Sequence, residues 1–161
     1  MITELTRMWL TRSTRPFLFK NEYDQELPFS DCDGLGLYVH IPFCRSICSF
    51  CPYCKILYSE ETCSRYIDAL IREIHLTGSQ APGKKTVTSL YFGGGTPALA
   101  ADRIKEIIGA IQDHFTITQG IGIELHPENV TPRTLHILKE AGVTKLSIGI
   151  QSFQEKFQKL L

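Results

Sequence analysis

The chain has 161 residues, of which 43% are hydrophobic, and this is enough for one domain with an apolar core. Its 17 basic residues balance its 17 acidic ones, so charge gives no case for nucleic acid or an anionic membrane surface as the main partner. No apolar run approaches the roughly 20 residues of a spanning helix, and the first 20 residues lack an apolar signal core, which indicates a cytoplasmic protein.

The chain divides into an N-terminal extension over residues 1–35 and a patterned core domain over residues 36–161. In the core, a short apolar run followed by a helical pattern recurs, which is typical of βα units and a parallel sheet. The patterns predict strands at 36–41, 88–92, 121–125 and 145–150. The fold class is therefore α/β, with about four βα units.

Helical spacing of apolar residues predicts the connecting helices. The first is expected over 60–76, with Gly78 as its stop. The third opens with Thr131 as N-cap and Pro132 at its first position, and it stops at Gly142. The apolar stripe of the second helix consists of Ile104, Ile107, Ile108, Ile111 and Phe115.

After the fourth strand, Ser152 and Glu155 stand at capping-box spacing and predict the start of a fourth helix. Its apolar face would consist of Phe153, Phe157, Leu160 and Leu161. A sheet stopped at a fourth strand leaves an uncovered edge, whereas a closed barrel needs eight such units. We expect a fragment of a longer protein, in preference to a truncated product or a chain that assembles with something else.

The Cys, Gly, Glu, His and Gln residues that do not fit the apolar pattern all lie at the carboxyl ends of the predicted parallel strands. The cysteines follow strand one, and the turn Gly93-Gly94-Gly95-Thr96-Pro97 follows strand two. Glu124 and His126 end strand three, and Gln151 ends strand four. Ligands bind at this edge in barrels and in open α/β sheets, so the residues predict one shared site.

Four cysteines are crowded into one segment with the spacing Cys44-x3-Cys48-x2-Cys51-x2-Cys54. Crowding favours metal binding in a reducing compartment over disulfides. Structural zinc usually takes two separated pairs, and a bacterial ferredoxin run has a different order of spacings. A four-iron cluster held by three thiolates leaves one iron open, whereas Cys54 as a fourth ligand would close it; we favour a free Cys54.

The Cys-x3-Cys-x2-Cys spacing resembles the radical S-adenosylmethionine signature. Tyr38-Val-His-Ile-Pro-Phe-Cys44 resembles the subgroup that contains oxygen-independent coproporphyrinogen III oxidase and its haem-chaperone relatives. Three further segments resemble that subgroup's motifs in the same order: Tyr91-Phe-Gly-Gly-Gly-Thr-Pro97, Ile123-Glu-Leu-His-Pro127 and Leu146-Ser-Ile-Gly-Ile-Gln-Ser-Phe153. The resemblance implies the first part of a TIM-like (β/α) barrel of the radical S-adenosylmethionine type.

The resemblance also implies the site. A 4Fe–4S cluster would be held by Cys44, Cys48 and Cys51, and S-adenosylmethionine would chelate the open iron. The methionine end would be lined by Gly94, Gly95 and Thr96. Further cofactor contacts would come from Tyr38, Phe50, Glu124 and Gln151. The simpler alternatives are a tight turn for the glycines, a surface carboxylate for Glu124 and a capping side chain for Gln151.

The remaining His and Cys residues receive no ligand role. His40 is expected to be a satisfied core residue, Cys63 a core thiol on the first helix and Cys32 a loop thiol. His126 stands where the subgroup commonly has Asn or Asp before proline, and this departure leaves its role open.

The chemistry implied by the resemblance begins when a one-electron donor of the flavodoxin or ferredoxin type reduces the cluster. Reductive cleavage of S-adenosylmethionine then gives a 5′-deoxyadenosyl radical, which abstracts hydrogen from a tetrapyrrole substrate; no catalytic side chain is assigned. The expected protein is an oxidoreductase of porphyrin metabolism like coproporphyrinogen dehydrogenase. The alternatives are a haem chaperone of the same family and an inactive fragment.

Overall fold

A computed structural model describes residue 6 and residues 32–81 and 83–158. Its main strands are β1 Leu35–Ile41, β4 Lys85–Gly94, β5 Phe115–Ile117, β6 Ile121–Leu125 and β7 Val143–Ile148. They form a parallel sheet in the order β1-β4-β6-β7, with β5 also pairing with β4. A separate parallel pair joins Phe43–Cys44 (β2) to Ile56–Leu57 (β3).

Helices connect the strands of the sheet. They are α1 Glu60–Gly78, α2 Ala101–His114, α3 Pro132–Glu140 and the short α4 Glu155–Gln158. Short 3-10 helices at Pro97–Ala100 and Pro127–Asn129 precede α2 and α3. No helix in the described part of the chain has the length and apolarity needed to cross a bilayer.

The sheet has one apolar and one polar face. Because its main strands follow one another in sequence order and crossovers are right-handed, the helices lie together on one face. Buried side chains on that face, such as Ile41, Phe92 and Ile123, pack into the same core as Ile67 of α1 and Ile104 of α2. The alternate residues of each strand face the other way. That second face carries the polar side chains described below.

The N-cap of α3 matches the prediction from its sequence. The Thr131 hydroxyl accepts a hydrogen bond from the Thr134 amide at 3.1 Å, and Pro132 occupies the first helical position. After the helix, Gly142 adopts a φ of 91°, the left-handed conformation that favours glycine.

Replacing the capping residue should destabilise the fold. Thr131→Ala leaves the Thr134 amide without its acceptor, so we expect the free energy of unfolding to fall by about 1 kcal/mol in a urea titration. Thr134→Ala is the matched control, because it keeps the amide and the Thr131 hydroxyl and removes only the Thr134 hydroxyl, which lies 3.0 Å from Thr131 Oγ1. Equal losses from the two variants would contradict a capping role.

Several local predictions need correction. Phe115 does not continue the α2 stripe; it follows the helix as the buried first residue of β5. Gly78 is the last residue of α1 and is required by packing, since a Cβ there would lie 2.5 Å from Cγ of His114. Ser152 accepts from the Gln154 amide at 3.1 Å and α4 begins at Glu155, so the helix starts later than the predicted cap at Ser152 implies.

The ends of the chain bear on the predicted domain division. Almost all of the predicted 1–35 extension lies outside the described residues, as do Leu160 and Leu161, and Leu35 belongs to β1. At the other end, β7 and the residues after it expose apolar side chains, including Leu146, Ile148 and Phe153. The division into extension and core domain stays a prediction.

Candidate metal and cofactor site

The cysteine segment is a loop anchored at both ends by the β2–β3 pair. The Ile56 amide donates to the Pro42 carbonyl and the Tyr58 amide donates to the Cys44 carbonyl, both at 2.8 Å. Within the loop, the Cys51 amide donates to the Cys48 carbonyl at 3.4 Å. All the cysteines among the described residues are free thiols. The loop therefore holds Cys44 at its anchored start and Cys48 and Cys51 in one turn.

The glycine turn after β4 lies directly against this loop. The Gly95 amide donates to Ile41 O at 2.9 Å and the Thr96 amide donates to Phe43 O at 2.7 Å. A Cβ on Gly95 would lie 2.6 Å from the Phe43 oxygen, so only glycine permits this approach. The contact also brings Thr96 Oγ1 to 4.0 Å from the Cys44 Sγ.

The predicted site residues surround one cavity of about 450 Å³ at the carboxyl edge of the sheet. Nearly all of them line it: Cys44, Cys48, Phe50, Cys51, Gly94, Gly95, Thr96, Glu124 and Gln151. Tyr38 is not among the lining residues; it lies on β1 with 59% of its surface exposed. The structure thus brings together residues from four separate segments of the chain.

Cys54 differs from the other three cysteines of its segment. It is exposed and does not line the cavity, and its carbonyl accepts a hydrogen bond from His40 Nε2 at 3.0 Å. Because a carbonyl only accepts, Nε2 carries the hydrogen, and Nδ1 is left to accept from the Tyr38 hydroxyl at 3.2 Å. His40 is therefore satisfied at both ring nitrogens, and it ties β1 to the end of the loop.

The surroundings of Cys44 combine burial with nearby positive charge. Burial raises the pKa of the Cys44 thiol, and the neighbouring Cys51 and Cys48 thiols raise it further. The Thr96 hydroxyl and the Lys55 ammonium act in the opposite direction. Lys55 also donates to the Cys51 carbonyl.

No group of three Cys, His, Asp or Glu side chains among the described residues is arranged around a single metal ion. An iron-sulfur cluster makes a different demand, because each of its thiolates binds a different iron. The test that applies to a cluster is whether the thiols border one shared space, and Cys44, Cys48 and Cys51 do so.

The far wall of the cavity is formed by the end of β6 and the residues after it. Glu124 is half-buried there and accepts a hydrogen bond from the Tyr91 hydroxyl at 3.2 Å. His126, whose role the sequence left open, also lines the cavity. Its Nδ1 accepts from the Glu128 amide at 3.3 Å, so it caps the short helix that follows.

Several lining residues were not predicted from the sequence, among them Arg45, Lys55, Asn129 and Ser147. Each of the four lies within a few residues of a motif position, and that closeness was the available signal. Their side chains add two positive charges beside the thiols and polar groups on the opposite wall.

Gln151 is the one non-glycine residue with positive φ in the described part of the chain, at 64°. This conformation costs a residue with a Cβ roughly 1 kcal/mol. We expect Gln151→Gly to exceed Gln151→Ala in free energy of unfolding by about that amount, because both remove the amide but only glycine relieves the backbone. Urea titrations of the pair measure the difference, and a more stable alanine variant would contradict the strain.

The chain is similar in sequence and structure to proteins of one known family. The model of a family described as the radical SAM superfamily matches residues 38–161. The oxygen-independent coproporphyrinogen III oxidase of Pseudomonas aeruginosa is 34% identical over 131 residues, which are 78% of this chain and 28% of that protein. The anaerobilin synthase of Escherichia coli O157:H7 is 36% identical over 127 residues, covering 76% of this chain and 28% of the relative.

Two further matches complete the comparison. The haem chaperone HemW of Bacillus subtilis is 32% identical over 122 residues, which are 73% of this chain and 32% of that protein. Among solved structures, coproporphyrinogen III oxidase (HemN) from Escherichia coli, a radical SAM enzyme, matches with a TM-score of 0.72 at 33% identity. That match covers 79% of this chain and 30% of the other. The chain thus spans about a third or less of the length of these relatives.

Proposed function

Because the chain belongs to the radical S-adenosylmethionine superfamily, whose members bind a 4Fe–4S cluster and S-adenosylmethionine, we propose that Cys44, Cys48 and Cys51 hold that cluster. The observation that carries the proposal is that these three thiols border one cavity with Glu124, whereas Cys54 does not. Three thiolates leave one iron of the cluster free for S-adenosylmethionine.

The three thiols have the surroundings that a 4Fe–4S cluster needs. The three thiols are unpaired and half-buried, so they are accessible to iron while being partly shielded from water. Cys44 follows the buried Phe43, and main-chain bonds from Ile56 and Tyr58 fix this part of the loop. A loop fixed in this way limits the movement of its ligands when iron binds.

Positive charge beside the thiols suits an anionic ligand set. The Lys55 ammonium is fixed on the Cys51 carbonyl and the Arg45 side chain lines the same cavity. A nearby cation favours the thiolate over the thiol, and the thiolate is the form that binds metal. We assign to Lys55 the role of stabilising the Cys44 thiolate.

The remaining lining residues are proposed as contacts for S-adenosylmethionine. The Gly95 and Thr96 amides are already bonded to the β1–β2 backbone, so these residues can offer the ligand only carbonyl oxygens and the Thr96 hydroxyl. Carbonyl oxygens suit the amino group of the methionine moiety. Phe50 offers a ring to the adenine, and Glu124 and Gln151 offer polar groups.

When bound, the cluster and S-adenosylmethionine supply one-electron chemistry, namely the reductive cleavage of the sulfonium. The residues of this chain bind the two groups on adjacent walls of one cavity and orient them toward each other. The anchored cysteine loop and the glycine turn keep these walls together through the Gly95 and Thr96 amide bonds.

For the substrate we propose a tetrapyrrole, with reduction by a donor of the flavodoxin or ferredoxin type. Support comes from relatives named coproporphyrinogen III oxidase and anaerobilin synthase, at 34% and 36% identity. A chaperone that carries haem is the second candidate, supported by the 32% identity to HemW.

Anaerobic reconstitution with iron and sulfide, followed by reduction in the presence of S-adenosylmethionine, tests the enzymatic proposal. We expect 5′-deoxyadenosine, with its yield rising when a tetrapyrrole substrate is added. Stable haem binding without this product would favour the chaperone instead. A reconstituted protein that gives neither result would contradict both candidates.

A further inference from the structure

The ring of Tyr91, a residue of β4, lies against the neighbouring strand β6. Tyr91 pairs in register with Gly122 of β6, on the polar face of the sheet. A Cβ on Gly122 would lie 2.6 Å from Tyr91 Cδ2 and 3.0 Å from Cε2. Any residue other than glycine at position 122 would therefore push the ring away from β6.

The phenol of Tyr91 connects β4 to β6. Its hydroxyl donates to Glu124 Oε1 at 3.2 Å, and Glu124 stands two residues after Gly122 on the same face of β6. Ser147 is paired in register with Glu124 on β7 and lines the cavity. Burial and the adjacent Glu124 raise the pKa of Tyr91, which keeps its hydroxyl protonated as a donor.

This bond uses one carboxylate oxygen of Glu124. Within the described part of the chain, no donor forms a hydrogen bond with Oε2. A glutamate side chain has several rotatable bonds, and fixing one oxygen reduces the conformational freedom that is lost when the other oxygen binds a ligand. We infer that Tyr91 is a positioning residue that fixes Glu124 for its contact with S-adenosylmethionine, an inference that rests on the function proposed above.

The primary test is the dissociation constant of S-adenosylmethionine for the anaerobically reconstituted protein, measured by equilibrium dialysis. Tyr91→Phe keeps the ring and removes only the hydroxyl, so we expect about three- to tenfold weaker binding. Iron content should stay at the wild-type value. Tyr58→Phe is the matched control, since Tyr58 is also half-buried near the cysteine loop but does not line the cavity, and it should bind like wild type.

A double-mutant cycle tests whether Tyr91 acts through Glu124. We expect Tyr91→Phe to add little further loss in a Glu124→Gln background. Gly122→Ala should reproduce the loss by displacing the ring, and so gives an independent route to the same result.

The outcomes separate this inference from the proposed function. A reconstituted wild-type protein that does not bind S-adenosylmethionine would overturn the proposed function. Wild-type binding with unchanged binding by Tyr91→Phe would overturn the positioning role alone. Equal losses from Tyr91→Phe in the wild-type and Glu124→Gln backgrounds would also overturn it, because they indicate an effect that does not pass through Glu124.

Discussion

Replacing any one of Cys44, Cys48 or Cys51 with alanine is expected to abolish the cluster. Each thiol borders the shared cavity, so removing one leaves two ligands for four irons. Iron per chain after anaerobic reconstitution should fall from about four atoms to near zero, together with the visible absorption of the cluster. Chemical iron and sulfide determinations on each purified variant measure the effect.

Cys54→Ala is the matched control for these variants. Its thiol belongs to the same segment but is exposed and outside the cavity lining, and the hydrogen bond from His40 goes to its main-chain carbonyl. We therefore expect this variant to keep its full iron content. Loss of the cluster from Cys54→Ala, or a full cluster in Cys44→Ala, would contradict the ligand assignment.

Gly95→Ala is expected to destabilise the protein even without any metal. The added Cβ would lie 2.6 Å from the Phe43 oxygen and 2.8 Å from the carbonyl carbon of Pro42, and neither backbone atom can move as a flexible side chain does. Separating these segments would also weaken the amide bonds of Gly95 and Thr96. We expect a loss of about 3 kcal/mol in the free energy of unfolding.

Gly109→Ala is the control for Gly95→Ala, because it should raise the free energy of unfolding. Gly109 lies in α2, and a Cβ there would meet no atom within 4 Å. Alanine should therefore stabilise the helix by about 0.5 to 1 kcal/mol. Urea titrations of the metal-free, reduced proteins measure both variants. A Gly95→Ala protein as stable as wild type would show that the turn does not need this close approach.

The arrangement of strands and helices followed from short-range sequence patterns. The apolar runs before Cys44 and Gly93 predicted strands, and the Thr131-Pro132 pair predicted a helix start, because these signals depend only on neighbouring residues. The superfamily assignment and its cofactors, predicted from four motifs, are confirmed by the family match and by the solved relative. The roles of the individual site residues stay predictions.

Other features depend on contacts between distant segments, which periodicity does not reveal. Phe115 fits the helical spacing of α2, yet its burial comes from a place in β5 beside β4. The resemblance places Gly95 at the methionine end of the cofactor, and the structure adds that it makes room for the backbone of Pro42 and Phe43. Similarly, Gly122 looks like an ordinary strand residue until Tyr91 is seen lying over it.

The central claim is that three cysteines hold a cluster with one iron available to S-adenosylmethionine. The most direct measurement is the electron paramagnetic resonance spectrum of the reduced, reconstituted protein with and without S-adenosylmethionine. We predict the signal of a reduced four-iron cluster whose line shape changes when S-adenosylmethionine is added. A four-iron signal that S-adenosylmethionine leaves unchanged would contradict the claim.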